Sequence, residues 1–301
     1  MDLAIQVTDL VKRYGELTAV DEVSFEVSSG EFFGILGPNG AGKTTTVEIM
    51  EGLREPDSGQ VRLLGRSPWP RDKTLAGRIG VQLQASAFFD RLTAREQLRT
   101  FGELYGVPRD RADEMLEVVG LTDKAGTRME KLSGGQAQRL SIACALINDP
   151  ELVFLDETTA ALDPQARRNL WDLLRQVNAD GRTVVLTTHY MDEAESLCDR
   201  VAIVDSGRLL TVDSPANLVR NLDAPTRISI SSGILPAERV LDVARDTATV
   251  NDDGLDLTFT TRDPATVLTA LAESRALDGL RVQGATLEDV FLELTGREYR
   301  A

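Results

Sequence analysis

One stretch limits the possible folds more than any other: Gly37-Pro-Asn-Gly-Ala-Gly-Lys43-Thr44, which fits G-x-x-x-x-G-K-[ST]. The apolar run Phe32 to Leu36 precedes it, and a helical pattern from about Lys43 to Met50 follows. A buried strand, a glycine-rich turn and a helix in that order let backbone N–H groups turn inward around phosphate oxygens, with the helix dipole adding to the attraction. Gly37, Pro38, Asn39, Gly40, Ala41, Gly42, Lys43, Thr44 and Thr45 are the candidate nucleotide contacts. Lys43 is placed to reach terminal phosphates, and the Thr44 hydroxyl to bind Mg²⁺.

The rest of the chain reads as an α/β core. Ala4, Gln6 and Thr8 alternate with Ile5, Val7 and Asp9, and Val23, Phe25 and Val27 alternate with Ser24 and Glu26, as in half-buried strands. A helical pattern runs from Thr93 to Val119, with Leu98, Phe101, Leu104 and Tyr105 at steps of three and four, and another from about Gln136 to Ile147. Leu152 to Leu155 and Thr183 to Thr187 are expected as buried strands, and Asp163 caps a helix with Pro164 in its first turn. Strands alternating with helices imply a mainly parallel sheet. The texture changes near residues 213 to 226, and a small α+β unit is expected beyond it. Its elements are a strand at Arg227 to Ser232, a hairpin turn at Asn251 to Gly254, a strand at Leu255 to Thr261 and a helix from Asp263-Pro264 to about Ser274. Thr286 with Asp289 reads as a capping box for a last helix ending at Gly296.

Three further groups carry chemistry. Leu152-Val-Phe-Leu-Asp156-Glu157 is a buried strand ending in two carboxylates, at the sheet edge where α/β proteins bind ligands. Alone, such a pair also suits an ordinary strand end. Beside a phosphate loop, Asp156 reads as a Mg²⁺ ligand and Glu157 as the group that orients and deprotonates an attacking water. His189, the only histidine, follows another buried strand; the spacing permits a γ-phosphate contact or a plain surface or core position. Leu132-Ser133-Gly134-Gly135-Gln136 runs into a helix and is either a second anion site or a simple N-cap with a flexible lead-in.

Charge narrows the function classes. The 301 residues carry 33 Lys and Arg against 48 Asp and Glu, a formal net charge of −15. That balance opposes duplex nucleic-acid binding and direct adsorption to anionic lipid. No apolar run approaches the roughly 18 residues needed to cross a bilayer, and the first residues lack a signal-peptide pattern. A cytosolic chain is expected, with any membrane role exerted through a partner. Cys144 and Cys198 have no CxxC spacing and are expected as buried, reduced thiols.

The order of Gly37 to Thr45, Gln84, Leu132 to Gln136, Asp156-Glu157, Asp163 and His189 resembles that of ABC-transporter nucleotide-binding domains, over about residues 1–220. The resemblance implies a P-loop ATPase with a RecA-like core, an antiparallel β subdomain and a helical subdomain at about residues 85–145. A small α+β C-terminal accessory domain would occupy 226–301. It implies that Tyr14 stacks on the adenine of ATP, that Gln84 binds Mg²⁺ and couples to the membrane partner, and that His189 contacts the γ-phosphate. Ser133, Gly134, Gly135 and Gln136 would touch ATP held by a second ATPase subunit, with Asp163 across the interface. The implied assembly is a head-to-tail pair, a homodimer by expectation, on an integral-membrane permease at the cytoplasmic face of the membrane. Two positions depart from the family pattern: Thr158 rather than Pro follows Glu157, and Ala137 rather than a basic residue follows Gln136. Neither removes a catalytic group. The ending Ala285-Thr-Leu-Glu-Asp-Val-Phe-Leu-Glu-Leu-Thr-Gly296 resembles drug- and lipid-exporter ATPases of the daunorubicin-resistance type. In that group the tail helps subunits pair or limits activity. A soluble ABC ATPase not linked to transport is the competing reading. The single motif set, the lack of a heptad insertion and the acidity tell against it.

Overall fold

The computed structural model describes residues 2–82, 88–159, 162–244 and 247–296. The chain divides into two compact units, with the break between Pro215 and Ala216. In the first, the elements in chain order are β1 (Leu3–Tyr14), β2 (Leu17–Ser28), β3 (Phe32–Leu36), α1 (Lys43–Met50), β4 (Ser58–Leu63), α2 (Lys73–Ala76) and β5 (Ile79–Val81). They continue through α3 (Ala94–Tyr105), α4 (Arg111–Val118), α5 (Gly134–Leu146), β6 (Leu152–Asp156), α6 (Pro164–Ala179), β7 (Thr183–Thr188), α7 (Met191–Leu197), β8 (Arg200–Asp205) and β9 (Arg208–Asp213).

Two sheets organise this unit. β2-β1-β4 is antiparallel, and β5-β6-β7-β3-β8-β9 is parallel except at its β8–β9 edge. The expected parallel core is therefore present. Every residue of β3 and β7 is buried, because a strand deep in such a sheet is covered on both faces. β1 instead alternates, and its phase changes at a register shift between Val7 and Leu10, where Asp9 takes a left-handed φ of 47°. The Asp9 N–H donates to Ser24 Oγ at 2.8 Å, so the bulge is tied to β2. One cluster joins the two sheets, with Phe25 of β2 stacked on Phe33 of β3 at a centroid distance of 5.4 Å.

The helical pattern from Thr93 to Val119 resolves into two helices rather than one. Thr93 and Glu96 form a capping box at the start of α3, which ends at Gly106 with φ 70°. Pro108 stands in the loop before α4, and Leu104 and Tyr105 at the end of α3 are exposed. Cys144 and Cys198 are buried free thiols, and burial pushes both thiols up. Among the described residues no helix is long and apolar enough to cross a membrane.

After α8 (Pro215–Asn221) come β10 (Thr226–Ser231), α9 (Ala237–Ala244), β11 (Ala248–Asp252), β12 (Asp256–Thr261), α10 (Pro264–Glu273), β13 (Arg281–Gln283) and α11 (Leu287–Thr295). The sheet order is β11-β12-β10-β13, all antiparallel. Ile228, Ile230, Leu257 and Phe259 alternate inward and pack with Val243, Val267 and Leu271 in a separate core. The hairpin turn lies slightly beyond the expected Asn251 to Gly254: Asn251 and Asp252 pair with Thr258 and Leu257, and Asp253 accepts the N–H groups of Leu255 and Asp256. The Thr286–Asp289 capping box forms as expected.

Phe33→Ala removes a fully buried ring that bridges both sheets, and should cost about 3–5 kcal/mol of the first unit's stability. Trp69 and Trp171 both lie before the break, so urea unfolding followed by tryptophan fluorescence reads that unit. A loss below about 1 kcal/mol would mean that the Phe25–Phe33 contact does not anchor the sheets.

Candidate functional site

β3 delivers the chain to the sheet edge at Gly37, and α1 carries it away from Lys43. Between them the backbone is packed too closely for side chains at two glycines. A Cβ at Gly37 would meet the Val204 carbonyl oxygen at 2.2 Å, and one at Gly42 would meet that of Ala19 at 2.2 Å. Gly42 is also left-handed, with φ 97°, and serves as the N-cap of α1 without a side-chain bond. The turn between β8 and β9 braces the loop from outside, since the Gly207 N–H donates to the Ala41 carbonyl at 3.1 Å.

This cradle opens into a cleft of about 470 Å³ lined by Tyr14, the loop from Asn39 to Thr45, and Glu157. Lys43 is buried at its floor. Its ammonium donates to the carbonyls of Gly37 (2.8 Å) and Pro38 (3.2 Å) and lies 3.7 Å from Glu157 Oε1. Burial lowers the Lys43 pKa, while Glu157 and Asp156 oppose that shift. Tyr14, at the end of β1, is partly exposed, and Lys12 Nζ and Arg54 Cζ lie 5.8 and 5.6 Å from its ring centroid.

The two carboxylates diverge at the end of β6. Asp156 is half-buried and accepts a hydrogen bond from Thr187 Oγ1 on the neighbouring strand β7. Burial raises its pKa, and the Thr187 bond opposes this. Glu157 leaves the strand with a left-handed φ of 46°, a conformation costing roughly 1–3 kcal/mol in a non-glycine residue. Its N–H donates to Thr187, at 3.1 Å to the carbonyl and 3.2 Å to Oγ1, and its carboxylate stands 3.4 Å from His189 Nδ1. Glu157 thus touches both the lysine of the loop and the histidine that follows β7. The spacing reading of His189 left a plain surface or core position open; the geometry puts it beside the acid.

Thr44 and Asp156 supply a hydroxyl and a carboxylate, which suit a hard cation that also takes phosphate oxygens and water, so the donor set fits Mg²⁺. Gln84, the third expected ligand, lies outside the described residues. Ser133, Gly134, Gly135, Gln136 and Asp163 do not line the cleft. Ser133 and Gln136 form a reciprocal capping box at the start of α5, with Ser133 and Gly134 exposed. Asp163 is an exposed N-cap accepting from Gln165 N (3.0 Å) and Ala166 N (2.9 Å). A Cβ on Gly135 would sit 3.4 Å from Ala166 Cβ, so the starts of α5 and α6 present adjoining backbone at the surface.

The sequence reading missed Thr187, whose hydroxyl serves both carboxylate residues, and Glu51 at the end of α1. Burial pushes the Glu51 carboxyl up to about 8, helped by the negative charges of Asp156 and Glu48. Glu51 also borders an apolar groove of about 330 Å³, with Leu75, Ile79, Phe101 and Leu104 on its walls. Thr187 follows the apolar Val184-Val185-Leu186 near the end of β7, a visible signal; Glu51 has no such mark.

A sequence profile described as ABC transporter matches residues 20–160. The chain is 41% identical over 305 residues to Nod factor export ATP-binding protein I of Ralstonia nicotianae, covering 98% of this chain and 95% of that one. It is 39% identical to linearmycin resistance ATP-binding protein LnrL of Bacillus subtilis, covering 98% and 99%. Among solved structures, the dimeric bacterial ABC transporter cassette MJ0796 superposes with a TM-score of 0.64 at 30% identity, over 70% of this chain and 98% of that one. The cbiO1 protein of Clostridium perfringens gives 0.67 at 26% identity, over 74% and 95%.

Glu51 also makes stability depend on pH. Its folded pKa of about 8 lies above the ordinary value of 4.5, so the folded state holds a proton that the unfolded state has released between those values. Stability from this group is therefore greatest at the acid end of the window and is lost as pH rises through about 8. Glu51→Gln should melt higher than the parent by a margin that grows from about pH 5 to about pH 8 and then levels off. A margin independent of pH would show that Glu51 is ionised in the fold.

Proposed function

The chain belongs to the ABC transporter family of ATP-binding proteins, and we propose that it drives export through a separate membrane-spanning permease by binding and hydrolysing ATP. The observation that carries this reading is the position of Glu157, swung out of β6 beside Lys43 and His189 at the mouth of the cradle. The loop N–H groups and Lys43 hold the phosphates, and Tyr14 packs on the adenine. Thr44 and Asp156, together with Gln84, would hold Mg²⁺, which would supply positive charge to offset that of the phosphates. Glu157 orients the attacking water and takes its proton, and His189 fixes the far side of the γ-phosphate.

One copy supplies half of each site. The helix start at Ser133 to Gln136 lies outside its own cleft, with Ser133 and Gly134 exposed, which supports a head-to-tail pair in which it meets ATP on a second copy, with Asp163 beside it. Closure of the pair is then a population shift driven by γ-phosphate contacts available only in the closed form. The apolar groove bordered by Phe101 and Leu104 supports a permease contact, and with it a position at the cytoplasmic face of the membrane. Residues 1–220 form the ATP-binding domain and 226–301 the accessory domain. Relatives named for Nod factor export and for linearmycin resistance support a drug, lipid or other hydrophobic substrate.

Glu157→Gln should keep ATP binding, lose roughly 10²- to 10⁴-fold in turnover, and accumulate an ATP-bound dimer on size exclusion. Ser133→Arg should bind ATP normally and fail to turn over. A fully active Glu157→Gln chain, or one that stays monomeric at saturating ATP, contradicts this mechanism. Gentle solubilisation of membranes containing the tagged chain should co-purify a multispanning protein in stoichiometric amount.

A further inference from the structure

Behind the catalytic pair lies a carboxyl group that the mechanism leaves unused. Glu193, the third residue of α7, is 0% exposed. Its Oε1 accepts the indole N–H of Trp171, from α6, at 3.1 Å. The hydroxyls of Thr188 and Thr159 stand close enough to act on its titration. Thr188, which closes β7, in turn accepts the Tyr190 N–H at 2.9 Å, so its hydroxyl spans the backbone of His189. Thr158 and Thr159 follow Glu157 directly and are each 1% exposed. Glu193 Oε2 and the Thr158 and Thr159 hydroxyls are all buried without a partner of normal hydrogen-bond geometry.

Buried polar atoms without a partner are uncommon and mark either strain or a role in mechanism. Here they lie between the residue that follows Glu157 and the helix that follows His189. We infer that Glu193 is a positioning residue that ties α6 to the Thr188–Tyr190 turn and to Thr159, two residues after Glu157, and so sets where His189 and Glu157 stand. Burial raises its pKa, which favours the neutral acid. A neutral acid offers one acceptor to Trp171 and one O–H donor to a threonine hydroxyl, whereas an ionised carboxylate would accept at both oxygens.

The inference rests on the roles proposed for Glu157 and His189, and the test separates the two. ATP turnover and nucleotide affinity are measured on the full chain for Glu193→Leu, Glu193→Gln, Trp171→Phe and Glu157→Gln, with melting temperatures alongside. A carboxamide reproduces the acceptor and donor of the neutral acid. Glu193→Gln should therefore keep kcat within about threefold, and Glu193→Leu should lose at least about tenfold in kcat with KM changed less than about twofold. Trp171→Phe should lower kcat by a smaller factor at unchanged KM. Wild-type kcat in Glu193→Leu overturns the inference, as does a Gln variant as impaired as the Leu variant. If Glu193→Leu does not fold, the Trp171→Phe and Glu193→Gln pair decides: an unchanged kcat in the first or a lost kcat in the second overturns it. Turnover retained in Glu157→Gln instead removes the catalytic reading on which it stands.

Discussion

The parallel register of β6, β7 and β3 is the constraint on which the site depends. Leu36 pairs with Thr188, and Asp156 pairs with Thr187. The residues that leave the sheet next, Gly37, Glu157 and His189, therefore emerge at one edge and at nearly one level. A one-residue slip would turn every side chain of a strand to the opposite face of the sheet. The apolar sides of β3, β6 and β7 hold that register, so core packing and catalytic geometry are one requirement.

Within that frame the polar groups are arranged to keep charge near the phosphates at tolerable cost. Thr187 donates to Asp156 and accepts from the Glu157 N–H, which supports the left-handed backbone at Glu157. Lys43 is buried against two carbonyls and faces Glu157, so its charge has partners although solvent is largely excluded. The glycines at 37 and 42 let the backbone itself approach, which gives the loop its N–H groups without intervening side chains. The same low dielectric raises Asp156, Glu51 and Glu193 together. Acidity near the cleft is thus set by burial more than by the chain's large negative charge.

Legibility followed signal length. β3 and α1 could be bounded to the residue, because a strand covered on both faces reads as an unbroken apolar run and the loop signature ends both elements. The stretch from Thr93 to Val119 preserved a helical period across Gly106 and Pro108, so two helices read as one, although both breakers were visible. Strands β5 and β13, at three residues each, are too short for any period to show. In the second unit the turn moved because the Asp253 side chain, binding two backbone N–H groups, decided where β11 ended.

By itself, the sequence determined the chemistry available: a phosphate cradle, a pair of acids at a strand end, a histidine after the next strand, and a capped helix start at Ser133. It did so because each is a local pattern whose function follows from neighbours in the chain. Only the tertiary structure decided that Glu157 stands between Lys43 and His189, that Ser133 to Gln136 lie away from their own cleft, that Glu51 is half-buried and that Glu193 is fully buried. Those properties depend on distance and desolvation among residues far apart in sequence. Neither quantity exists until the sheets close over their core.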